Sequence, residues 1–114
     1  MQRLEKFPWL ELKLNSQRAD IEIVKNDGMP EEYHFAIQQA LQEALMQPKD
    51  ELYEVADVVV KRLIADNTID EKRWLCHIYP SNLDIGLSYM RKGSICLGFG
   101  PPEMRYEARI ACLY

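Results

Sequence analysis

Residues 50–66 read DELYEVADVVVKRLIAD. Apolar side chains fall at Leu52, Val55, Ala56, Val59, Val60, Leu63 and Ile64, the i, i+3, i+4, i+7 recurrence of one continuous helical stripe. Asp50, Glu51, Glu54, Asp57, Lys61 and Arg62 take most of the remaining positions, so the opposite side is charged. A helix patterned this way buries one side against a sheet or a second helix. It carries no group that performs chemistry, and the same holds along the chain, so the residues speak to shape more than to activity.

Upstream, Pro30 stands at a first helical position with Glu31 and Glu32 behind it. Proline there forfeits no hydrogen bond, and acids there face the positive end of the helix dipole. The spacing predicts a helix from about Pro30 to Met46, with Tyr33, Ile37, Ala40, Leu41, Ala44 and Leu45 as its stripe. Pro48 ends it, since proline disfavours helical geometry in the residue before it. Pro48, Asp50 and Glu51 repeat the opening signal, and the second helix runs to about Asp66. Lys61 and Arg62 suit its negative pole, and Asn67 is its expected left-handed cap. The short connection predicts an antiparallel helix pair over 30–66.

Both flanks have a period of two. Trp9–Leu14 and Ala19–Lys25 alternate and read as an N-terminal hairpin over 9–25, the second strand broken by Asn26-Asp27-Gly28. From Arg73, four alternating runs follow, with apolar sets Trp74/Cys76/Ile78, Ile85/Leu87/Tyr89, Ile95/Leu97/Phe99 and Tyr106/Ala108/Ile110/Cys112. Arg91-Lys92-Gly93 reads as a hairpin loop with glycine supplying positive φ. The expected architecture is a single α+β domain over 1–114, order ββ-αα-ββββ. Its last part is an antiparallel meander over 73–114, with the helix pair on one face of the sheet.

The chain has 114 residues, enough for one domain that buries roughly 65% of its unfolded surface without a metal or disulfide. No apolar run approaches the ~20 residues of a membrane span. The first 25 residues contain Glu5, Glu11, Asp20 and Glu22 and no apolar core, so no secretory signal is expected and the expected location is cytoplasmic. Cys76, Cys96 and Cys112 are an odd, widely spaced set, read as buried reduced thiols. The formal net charge of −4 is uneven: +1 over residues 1–26, −6 over 27–66 and +1 over 67–114. The helical segment thus holds the whole acidic excess. Nucleic-acid binding wants a basic patch, and none stands out.

The chemistry-bearing residues are sparse. His34 and His77 have no partner at metal-ligand spacing, so neither a metal nor another cofactor is expected. Cys76 and His77 are adjacent, but neighbours on a strand point to opposite faces. That leaves only a long-range pairing of His77 with Cys96 or Cys112. Gly98-Phe99-Gly100 lacks the third glycine and the helix of a dinucleotide loop. No catalytic residue is assigned. The expected partner surface is Glu51, Glu54 and Asp57 on one helix flank, Glu43 on the neighbouring helix, and Trp9, whose alternation places it beside Glu11 and Lys13. In general character, such an acidic domain resembles bacterial immunity proteins and other small inhibitors that neutralise a basic toxin or nuclease. The expected function is therefore non-enzymatic binding of a basic protein by a monomer or homodimer, steered by an acidic face. The alternatives are a homodimeric secretion chaperone or adaptor, and a small-molecule binder or enzyme with a pocket near His77.

Overall fold

The structure, a computed structural model, describes residues 21–47, 51–81, 91–100 and 105–113. The described elements run β1 (Ile21–Asp27), a 3-10 turn (Glu31–Tyr33), α1 (His34–Leu45), α2 (Leu52–Ala65), β2 (Trp74–Pro80), β3 (Arg91–Phe99) and β4 (Tyr106–Leu113). They form an α+β fold, an antiparallel sheet carrying an antiparallel helix pair on one face. The expected strands Trp9–Leu14 and Asp84–Met90, and with them Trp9, lie outside the described residues, as does Pro48.

The core forms where the two periods meet. Ile37, Ala40, Leu41, Ala44 and Leu45 of α1 and Val55, Ala56, Val59 and Leu63 of α2 are buried. They face Trp74 and Ile78 of β2, Ile95, Leu97 and Phe99 of β3, and Tyr106, Ala108, Ile110 and Cys112 of β4. Ile64, expected within the α2 stripe, is instead 44% exposed. A stripe of seven residues is wider than the strip of helix one sheet can cover. Tyr33 stands edge-on to Trp74, ring centroids 6.0 Å apart, and so ties the start of α1 to β2.

The strand order is β1-β3-β4-β2, every pairing antiparallel. A meander over 73–114 would leave β4 at the end of the series; the sheet instead sets β4 between β3 and β2. Alternation says which face a residue lies on and nothing about which strand lies beside it. β4 suits a central place because its outward-alternating Ala111 is also fully buried. β1 joins the same sheet, beside β3.

Three local expectations are corrected. Gly93 is not a loop residue with positive φ: β3 begins at Arg91, and only Gly28 and Gly100 have positive φ among the described residues. Gly93 is needed because a Cβ there would lie 2.4 Å from the Gly28 carbonyl oxygen. β1 continues through Asn26 and Asp27, and the chain turns at Gly28 (φ 85°). Asn67 adopts no left-handed conformation. The end of α2 is closed from outside the helix, the Lys72 ammonium donating to the carbonyls of Ile64 (2.9 Å) and Asp66 (2.8 Å).

Candidate functional site

β2 is an edge of the sheet among the described residues, and α2 packs over it. Between them runs a groove of about 770 Å³. One wall is the outer flank of α2, with Tyr53, Glu54, Asp57, Val58 and Lys61; the other is the unbroken run Trp74–Ile78. A groove on one sheet face would meet alternate residues of a strand. An unbroken run shows that the groove follows the strand's edge.

The hydrogen-bond register defines what that edge presents. Leu113 N–H donates to the Arg73 carbonyl (2.8 Å) and Ser81 N–H to the Arg105 carbonyl (3.0 Å). Pairing is unbroken from Trp74↔Cys112 to Pro80↔Tyr106. In an antiparallel ladder alternate residues bond to the partner, so the odd-numbered residues of β2 face β4. Trp74, Cys76 and Ile78 therefore direct their backbone N–H and C=O groups away from β4. Pro80, next in that series, has no N–H to offer.

The acidic residues singled out from the sequence divide. Glu54 and Asp57 lie on the groove wall. Glu51 is the N-cap of α2, its backbone N–H bonded to Glu54 Oε1 at 3.2 Å. Glu43 sits away from the groove, at the α1–α2 seam, 2.8 Å from Arg62 Nη1. Asp57 pairs with Lys61 at 2.9 Å, with both side chains largely exposed. Such an exposed pair contributes little and yields easily to a competing charge. The edge of β2 was missed, because single-strand alternation carries no information on neighbours.

The other sheet face gathers a polar cluster. Tyr79 donates to Glu107 Oε1 (3.1 Å), Cys96 Sγ lies 3.5 Å from the same oxygen, and His77 stands edge-on to Tyr79 at 5.5 Å. Arg109 lies in register between His77 and Cys96. Two strand spacings separate those two, about 10 Å, so they do not form a thiol–imidazole pair. The thiols are not activated. Burial, then the Glu107 charge, raises Cys96; burial raises Cys76; burial, then Glu71, pushes Cys112 up to about 11. Burial, then Cys96, likewise pushes Tyr79 up to about 12. His34 is structural: its Nε2 donates to the Met29 carbonyl (3.2 Å), beside an Asn26 side chain that accepts from Met29 N–H (3.0 Å).

Among the described residues no group of three or more His, Cys, Asp or Glu side chains is placed to hold a metal ion, and no helix is long and apolar enough to cross a membrane. No protein-family model matches the chain, and neither a curated protein nor a solved structure is significantly similar to it.

Proposed function

We propose that this chain is a non-enzymatic protein-binding domain of the immunity or inhibitor type, which docks a basic protein, such as a toxin or nuclease, against the α2 side of the groove. The observation that carries this reading is the pair of carboxylates, Glu54 and Asp57, on the wall of the groove beside the sheet edge. They belong to the part of the chain that holds its whole acidic excess, and an acidic rim accelerates encounter with a cationic partner. The test is capture of partners by tagged protein at low and high salt, repeated with Glu54→Gln and Asp57→Asn. Glutamine keeps an acceptor for the Glu51 cap while removing the charge. One stoichiometric basic partner, released by salt and weakened by the two substitutions, is the expected outcome. Binding indifferent to salt and to both substitutions would sink the reading.

A second reading, a homodimeric adaptor, is favoured by the β2 edge, which a second copy would extend across a two-fold axis. The enzyme reading draws no support from the thiols. With all three raised in pKa, native protein should react with a soluble thiol reagent at pH 8 far more slowly than unfolded protein. A single fast native thiol would reopen that reading.

A further inference from the structure

The two sheet edges are built differently. The β1 edge is blunted in the ways that keep strands from pairing with strangers. Its register to β3 shifts between Ile23 and Lys25, and it carries Glu22 and Lys25, with the Arg105 guanidinium reaching over to Glu22 at 3.0 Å. Among the described residues the β2 edge has none of this. Seven residues run without a register shift, no charged residue occupies the strand apart from the titratable His77, and proline comes only at its end. Beside this edge, unguarded among the described residues, and not along β1, lies the groove.

We infer that the groove is a strand-addition site: an extended, basic segment of the partner pairs with the outward backbone groups of Trp74, Cys76 and Ile78 while its Lys or Arg side chains meet Glu54 and Asp57 on α2. This deepens the proposed function and rests on it for the partner's charge. Strand addition takes affinity from main-chain hydrogen bonds and specificity from alternate side chains. The edge from Trp74 to Ile78 spans about 16 Å at the usual rise, so the segment is five to seven residues long, by that same rise. On the helix side it meets Val58 beside the acids, which suits the aliphatic stems of Lys or Arg with their charges at the rim. The incoming cation displaces Lys61 from Asp57. Pro80 sets the far limit, because it offers no N–H to a longer segment.

The test uses the intact chain and the heptapeptide Ac-Lys-Val-Lys-Val-Lys-Val-Lys-NH2, followed through the backbone amide resonances. Two companions are titrated in parallel: the same peptide N-methylated at residues two to six, which blocks its backbone donors in either strand direction, and its Glu-for-Lys counterpart. The expected result is saturable shifts at the Trp74, Cys76 and Ile78 amides, with their hydrogen exchange slowed. N-methylation should weaken binding at least about tenfold, the loss expected when two or more backbone hydrogen bonds are removed. Equal binding of the methylated peptide, or no change at those three amides, overturns strand addition. A chain that sediments as a dimer with those amides already protected also overturns it, a second copy then being the occupant. Binding of the Glu peptide as tight as the Lys peptide removes the acidic-face reading and leaves strand pairing standing. A salt-sensitive basic partner that leaves the three amides unprotected does the reverse.

Discussion

Glu71 precedes β2 and holds three segments together. Its carboxylate accepts from Lys92 Nζ at 2.7 Å, from Arg73 Nε at 3.2 Å and from the backbone N–H of Arg73 at 2.9 Å, while its carbonyl accepts from the Trp74 indole at 2.8 Å. The Lys92 bond, then the Arg73 backbone bond, draws the carboxyl from its ordinary 4.5 down to about 2. The folded value is the lower one, so the ionised group's contribution is complete above pH 4.5 and is lost as pH falls through about 2. The difference in stability between wild type and Glu71→Gln should therefore be constant above pH 5 and shrink towards zero on acidification, as read by denaturant midpoints. A difference that does not change with pH would mean that the carboxylate's charge is irrelevant to this latch. Gly93 makes a second demand on a single residue. Gly93→Ala drives a methyl into the Gly28 carbonyl and should cost about 1–3 kcal/mol, seen in the same unfolding experiment. Unchanged stability would show that the two backbones can separate freely.

At the scale of elements, α2 shows how a helix can be closed from outside itself. Its own basic residues are engaged elsewhere, Lys61 with Asp57 and Arg62 with Glu43. Its last carbonyls go to Lys72, and Asp66 turns the chain by accepting from Thr68 N–H and Oγ1 at 2.8 and 2.6 Å. Lys72→Met should lower the melting temperature by a few degrees and speed amide exchange in the last turn of α2 without disturbing α1. An unchanged exchange pattern would assign the cap to water. The charge pattern of α2 was legible from spacing. Its cap was not, because Lys72 lies six residues beyond Asp66 and reaches it only after the chain has turned.

At the scale of the molecule, the helices and both central strands converge on one core. Phe99 is fully buried at its heart and stacks on Tyr106, ring centroids 5.9 Å apart and 17° from parallel. Phe99→Ala should cost about 3–5 kcal/mol and lower the stability of α1, α2 and the sheet together. Separate transitions for helices and sheet would contradict a single cooperative unit.

Among the described residues, local periodicity by itself determined where the two helices and four strands form and which side of α1, β2, β3 and β4, and most of that of α2, is buried; it did not do so for β1, where Ile23 is exposed, nor for Ile64 of α2. The stripes of α1 and α2 and the alternation of β2, β3 and β4 needed nothing but spacing, because burial of a face repeats with the element's own period. Neighbour relations needed the tertiary structure. The place of β4 between β3 and β2, the joining of β1 to β3, the closeness of Gly93 to Gly28, and the outward turn of Trp74, Cys76 and Ile78 beside Glu54 and Asp57 are contacts between residues far apart in sequence. Such contacts depend on how elements stack and pair, and a period of two or 3.6 contains no term for that.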